Sequence, residues 1–191
     1  TIGELTELRV NMKFDCTDPT DIRWSWPLSG GAQMDLGCYT THVARDVAAV
    51  LGGGARPVSA VAGFREGIDT RVDASLLVRA ELPNGASAVL DADLGAAADM
   101  SITATGTRGT AVLPNFIAAD ADDRLILNVA GVETVEHHGP TTTYTYQLQA
   151  LTAAIRDGAD FPTGADDAVA NMEFVDECYR LAGLPPRESA Q

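Results

Sequence analysis

Residues 5–14 alternate in polarity. Leu8, Val10, Met12 and Phe14 fall on one side, and Glu7, Arg9, Asn11 and Lys13 on the other, the two-residue period of a strand with one buried face. Asp18-Pro19 and the run Pro27-Leu28-Ser29-Gly30-Gly31 mark residues 15–31 as a loop. Residues 32–51 then predict a helix, with Leu36, Val43, Val47 and Val50 on one stripe and Gly52-Gly53-Gly54 as its terminator. The middle of the chain returns to the two-residue period. A strand is predicted over 58–65, and another over 71–82 with Val72, Ala74, Leu76, Val78 and Ala80 inward. A third is predicted over 86–94 with Ala88, Leu90 and Ala92 inward. Pro83-Asn84-Gly85 joins the last two as a hairpin. Two further hairpins pair 100–105 with 110–114 across Gly106-Thr107-Arg108-Gly109, and 124–129 with 132–137 across Ala130-Gly131. Two helices close the chain. The first carries Tyr144, Leu148, Leu151 and Ile155 up to Gly158. The second, capped by Asp166 or Asp167, carries Val169, Met172, Val175 and Tyr179 and ends near Gly183 before Pro185-Pro186. Short connections imply mainly antiparallel pairing. The fold class is therefore α+β, a broad mainly antiparallel sheet with helices packed on one face, and residues 1–191 form a single domain without repeat or linker.

Composition narrows the function classes. The chain has 191 residues, of which 46% are apolar and 21% charged, ordinary for a folded domain. No apolar run approaches the ~18 residues of a membrane span. The start, Thr1-Ile2-Gly3-Glu4-Leu5, lacks the basic region of a signal peptide and begins without Met, which hints at a cut or renumbered chain. A net charge of −14 opposes nucleic acid and anionic membranes as partners. Cys16, Cys38 and Cys178 are an odd, scattered set, read as free thiols of a reducing cytoplasm and in no metal-ligand spacing.

The chemistry concentrates at the helix that starts near Ala32. Asp35, Tyr39, His42 and Asp46 are spaced four, three and four, so they share one narrow face. That face is either a solvated polar stripe or a set of proton-handling groups. A Tyr and a His between two acids beside a Gly-Gly turn are less expected on a plain surface than Lys, Glu and Gln. Gly30-Gly31 either lets the chain turn tightly or presents free N–H groups to an anion. Trp24 and Trp26, beside Arg23, either wall a pocket or plug a core edge. His137 and His138 are neighbours on a strand, point to opposite faces and are read as surface residues. No metal site is expected. No nucleophile elbow and no G-x-G-x-x-G unit between strand and helix occurs, so neither a hydrolase nor a dinucleotide site is legible.

The stretch Ser29-Gly30-Gly31-Ala32-Gln33-Met34-Asp35-Leu36-Gly37-Cys38-Tyr39 resembles the signature G-G-x-x-x-D-x-G-x-Y/H, which opens the helix of the C-terminal domain in the Gfo/Idh/MocA oxidoreductases. The Tyr form and the upstream Asp21-Ile22-Arg23-Trp24 are similar to the glucose–fructose oxidoreductase and dihydrodiol dehydrogenase branch. The Leu82–Gly85 hairpin, the Gly106–Gly109 turn, the Tyr144–Ile155 helix and the Pro162–Ala168 entry to the last helix extend the resemblance over nearly the whole chain. It implies a sheet domain of the dihydrodipicolinate reductase-like C-terminal type. It also implies a parent enzyme that oxidises a sugar, polyol or diol with NAD or NADP. The cofactor and a catalytic lysine in an E-K-P motif would belong to an N-terminal Rossmann domain. Lys13, the only lysine here, sits in Asn11-Met12-Lys13-Phe14 and does not match that motif. The chain alone is thus expected to bind no cofactor and to be inactive. By the same resemblance Tyr39 moves or holds the proton, Asp35 orients the hydroxyl and His42 joins the relay or lines the pocket. Gly30 and Gly31 approach the cofactor, Arg23 and Trp24 wall the substrate, and the sheet builds a homodimer. A non-catalytic ligand-binding or dimerisation module is the alternative.

Overall fold

The computed structural model describes residues 1–187. Strand β1 (Leu5–Asp15) lies at the centre of the sheet. The chain then makes two short 3₁₀ turns, Ile22–Trp24 and Trp26–Leu28, before the long helical segment. That segment opens as a π-helix over Gln33–Gly37 and continues as α1 (Cys38–Val50). Eight strands follow: β2 (Arg56–Gly63), β3 (Ser75–Glu81), β4 (Ser87–Asp93), β5 (Gly95–Asp99), β6 (Ile102–Gly106), β7 (Gly109–Leu113), β8 (Arg124–Val129) and β9 (Val132–His137). Helices α2 (Thr143–Asp157) and α3 (Ala165–Leu181) come last.

The sheet is ordered β2-β3-β4-β1-β6-β7-β8-β9, with β5 pairing the end of β1. It is mixed. β1 runs parallel to β4, with Leu8 opposite Ala88 and Val10 opposite Leu90. The other named pairings are antiparallel. The parallel pair arises because α1 and the β2–β3–β4 meander carry the chain back to the flank of β1, a long crossover that no hairpin can make. Strand β5 was not among the expected strands. Its sequence Gly95-Ala96-Ala97-Ala98-Asp99 has no alternation to reveal it.

The alternation in β1, β3 and β4 is borne out. Leu8, Val10, Leu76, Val78, Ala80, Ala88 and Leu90 are buried in one cluster with Ala44, Ala48, Phe174 and Cys178 from α1 and α3. The hairpins also form as expected. Ala130 and Gly131 both take positive φ, 53° and 79°, as a two-residue turn matched to the twist of its strands requires. Asn84 uses its amide twice, donating to the Leu5 carbonyl at 2.9 Å and accepting from the Ala86 N–H at 3.1 Å.

Three helix readings are refined by the structure. First, the expected stripe of α1 holds at Leu36, which is buried, and at Val43 and Val47, which pack on the core, but not at Val50, which is 88% exposed. The fully buried residues of α1 are Thr40, Thr41, Ala44 and Ala48. Small side chains let α1 approach the sheet and α3 closely, and the preceding π turn shifts the helical phase. That turn has a local cause: Gly37 leaves room for the buried Gln33 side chain, which a Cβ at 37 would overlap. Second, neither Asp166 nor Asp167 caps α3. Gly164 occupies the cap position, the two acids lie in the first turn, and Asp167 turns instead to Arg45 of α1 at 2.8 Å. Third, the stripe of α2 is uncovered: Tyr144, Leu148, Leu151 and Ile155 are exposed, Tyr144 at 79%. The amphipathic pattern is real, but among the described residues no surface covers it. Thr142 caps α2 by accepting from the Thr145 N–H, and Gly158 ends it with φ 67°.

Candidate active site

Arg23 sits in a 3₁₀ turn whose cap is Asp21, the side chain of which accepts from the Arg23 N–H at 2.9 Å. From there the guanidinium Nε donates to Asp35 Oδ2 at 2.7 Å, and Nη1 reaches back to Asp21 at 3.3 Å. The bond to Asp35 holds the guanidinium above its ordinary pKa, against the pull of partial burial. Its face rests on the Phe14 ring, 5.3 Å from the centroid. Arg23, expected as a wall of the substrate pocket, and Asp35, expected to orient the hydroxyl, form an ion pair across twelve residues.

Tyr39 lies one turn beyond Asp35 and is 47% exposed. It lines a cleft of about 620 Å³ with His42, Phe116, Tyr144, Gln147 and Thr163. The walls come from α1, the segment after β7, the start of α2 and the loop before α3. Burial pushes the Tyr39 phenol above its usual range, the charges at Cys38 and Asp35 push the same way, and Arg23 opposes them. His42 stands between two carboxylates, Asp46 at 3.3 Å and Asp167 at 3.6 Å. Burial likewise raises the thiol of Cys38 to about 11 and that of Cys178 to about 12. The three cysteines are free. The structure therefore brings Tyr39 and His42 to one cleft, with the Asp35–Arg23 pair beside Tyr39. Asp35 does not line the cleft.

The remaining sequence candidates sit elsewhere. Trp24 is buried in a second core cluster with Met12, Leu36, Val72 and Leu94, and Arg65 stacks on its ring at 4.9 Å, so it plugs a core and does not wall the cleft. Gly30 and Gly31 are both buried. A Cβ on Gly30 would overlap the Arg23 carbonyl, and one on Gly31, where φ is +134°, would overlap Asp73 Oδ1. This close packing accounts for glycine at both positions. Lys13 is engaged with Asp91 at 2.5 Å. His137 pairs with Asp123 and His138 faces Glu136, both histidines on the surface. Among the described residues no helix is long and apolar enough to cross a membrane.

One cluster escaped the sequence reading. Asp73 is 0% exposed, yet it holds a carboxylate that accepts from the Gln33 N–H at 2.7 Å, the Tyr179 hydroxyl at 3.0 Å and Arg187 at 2.9 Å. Burial raises its pKa, and the Gln33 amide and Arg187 act against that. Tyr179 was legible as an inward residue of α3, but nothing in the sequence pairs residues 73 and 187.

A protein-family model described as the GFO/IDH/MocA C-terminal domain matches residues 1–112. The chain belongs to that family. Among its relatives is D-xylose 1-dehydrogenase (NADP(+)) 2 of Haloferax volcanii, 26% identical over 185 residues, a match covering 95% of this chain and 55% of the relative. Among solved structures, the fold is similar to that of aldose-aldose oxidoreductase from Caulobacter crescentus in complex with glycerol, with a TM-score of 0.81 at 20% identity over 95% of this chain and 54% of the other. Levoglucosan dehydrogenase in complex with NADH and levoglucosan gives 0.78 at 18% identity, over 95% and 57%. The chain thus spans about half the length of these relatives.

Proposed function

We propose that this chain is the substrate-side, C-terminal domain of an NAD(P)-dependent oxidoreductase acting on a CH–OH group of a sugar, polyol or diol. It would be completed by an N-terminal Rossmann domain and be inactive without it. The observation that carries this reading is the Tyr39 phenol on the wall of a cleft, beside the Arg23–Asp35 pair. The names of the relatives, all sugar oxidoreductases or dehydrogenases, support the substrate class. The cleft suits it chemically. Tyr144, Phe116 and Phe161 offer ring faces for the C–H side of a sugar, while Gln147, Thr163 and His42 offer polar partners for its hydroxyls.

Within the reaction, this chain's part is to bind, orient and handle one proton. Tyr39 would take the hydroxyl proton during oxidation, or return it during reduction. With its pKa raised by burial, the phenol needs a cation beside it to act near neutrality. Arg23 cannot fill that role fully, since Asp35 occupies its guanidinium. Asp35 acts by holding Arg23 and setting the charge beside the phenol. The uncovered apolar stripe of α2 supports a covering domain or copy, and the sheet face opposite the helices, with Glu7, Arg9, Asn11 and Lys13, supports a homodimer. The competing reading is a ligand-binding or dimerisation module without chemistry.

The test is a dehydrogenase assay on the full-length protein with NAD⁺ and NADP⁺ against a panel of aldoses, polyols and diols. Reduction of the nicotinamide by at least one of them is expected. No reduction with any of them would sink the oxidoreductase reading and leave the module. Sedimentation of the same protein is expected to give a dimer, and a monomer at all concentrations would remove the sheet as an interface.

A further inference from the structure

We propose that Arg187 is a positioning residue for Asp35 and Tyr39, a latch by which the tail after α3 holds the glycine turn where the active-site helix begins. The inference rests on the oxidoreductase reading for its effect on turnover, but not for its geometry. After α3 the chain turns back, with the Leu184 N–H donating to the Tyr179 carbonyl at 2.9 Å. Pro185-Pro186 then leads to Arg187, whose side chain is only 4% exposed. The guanidinium lies between two aromatic faces, Trp26 at 4.5 Å and Tyr179 at 4.2 Å. Its donors reach three acceptors, one of them the Pro185 carbonyl of its own tail, which Nη1 meets at 3.3 Å. Nε and Nη2 reach the Gly30 carbonyl at 3.0 and 2.6 Å, and Nη2 also reaches Asp73 Oδ1 at 2.9 Å.

Two of these acceptors, Gly30 and Asp73, brace the start of the helix. Asp73 satisfies two amides that the first turn would otherwise leave without partners. Its carboxylate takes the Gln33 N–H, and its backbone carbonyl takes the Ala32 N–H at 2.9 Å. Gly30 packs directly on the carbonyl of Arg23, and the Gly31 carbonyl accepts from the Asp35 N–H at 3.1 Å. The latch thus runs through backbone from Arg187 to both members of the Arg23–Asp35 pair, with Tyr39 one turn beyond. Only a planar fork can grip a carbonyl and a carboxylate while stacked between two rings. A lysine placed there has one nitrogen and no stacking face.

The experiment compares Arg187→Ala and Arg187→Lys with the unsubstituted protein in two settings. In the 191-residue chain, amide hydrogen exchange at Ala32, Gln33 and Asp35 is expected to accelerate about tenfold or more in both variants. Val78 and Leu90 in the sheet should stay within about twofold. In the full-length protein, kcat is expected to fall about tenfold or more while the KM for the nicotinamide stays within about twofold. Added ethylguanidinium should restore part of both in Arg187→Ala alone. Exchange that rises evenly across the sheet, or amides at 32–35 that keep their original rates, would overturn the latch. So would full turnover in variants whose turn has loosened. Should the unsubstituted full-length protein oxidise no sugar, the functional reading fails by itself, and exchange in the 191-residue chain still decides the latch. If Arg187→Ala does not fold, Arg187→Lys carries the comparison.

Discussion

Gly31→Ala is expected to lower the stability of the domain by about 3–5 kcal/mol, the range for breaking a buried ion pair, read from urea denaturation. Two effects combine. A φ of +134° is outside what a residue with a Cβ adopts without strain. The added methyl would also overlap Asp73 Oδ1 and come against the Arg187 guanidinium, so the pair must separate and leave a fully buried carboxylate uncompensated. Gly52→Ala is the control. It too has positive φ, 86°, but nothing lies near its Cβ position, so it should cost only ~1 kcal/mol. Equal losses in the two variants would show that the buried network adds nothing beyond backbone strain. The pH dependence supplies a second check. Burial raises the pKa of folded Asp73, so its contribution to stability is fully present below the unfolded carboxylate value and is lost as pH rises through the folded one. Of the charged and titratable groups that face it, Arg187 offsets that loss at neutral pH by its charge, and Tyr179 adds a smaller offset by donating its hydroxyl hydrogen bond. Displacing the guanidinium raises the Asp73 pKa further. The Gly31→Ala deficit should therefore be largest near neutrality and shrink as the pH falls toward the ordinary carboxylate range. A deficit independent of pH would point to sterics alone.

Tyr39→Phe in the full-length protein is expected to cut kcat by about 10²–10⁴-fold, the worth of a positioned general acid or base, with the fold and the sugar KM little changed. The substitution removes one oxygen from a side chain that is half exposed on the cleft wall, so packing is not the cause of any loss. The direction of the pKa shift gives the pH profile. Burial, Cys38 and Asp35 all hold the proton on the phenol. Oxidation, which needs the phenolate, should then speed up as pH rises, and carbonyl reduction, which needs the phenol, should slow. Tyr39→Phe should flatten both limbs in this range. Turnover that is unchanged in the variant would take Tyr39 out of the chemistry and turn attention to His42, which shares the cleft.

The site was partly legible because its residues are close in sequence. Tyr39 and His42 share a cleft as their spacing on one helix implies, whereas Asp35, in the π turn before it, does not line that cleft; the Gly-Gly pair declares a turn. The roles of neighbours were less legible. Trp24 next to Arg23 can wall a pocket or, as such residues more often do, plug a core edge, and packing shows that its ring is committed to the core with Met12 and Val72. The stripe of α1 is legible only in part, because large apolar residues alone are read as the inward ones; Val43 and Val47 do pack on the core, while Val50 does not. At a close helix–sheet contact the most buried positions go to Ala44, Ala48, Thr40 and Thr41, and a π turn breaks the phase on which a helical-wheel argument depends.

What the sequence determined by itself is local or periodic. It includes the half-buried strands with their inward residues, the three hairpins, the helix ends at glycine and the ordered motifs that mark the family. These follow from φ/ψ preference and from the two periods of side-chain direction, which act within a few residues. Tertiary structure alone decided the parallel β1–β4 pair, the strand β5, the ion pair of Arg23 with Asp35 and the burial of Asp73 beneath Arg187. Each depends on groups brought together by the folded chain, over twelve residues for Arg23 with Asp35 and over many tens for the others. The energy of a buried charge pair is set by the desolvation both partners share, a quantity that neither residue's neighbours in the sequence encode.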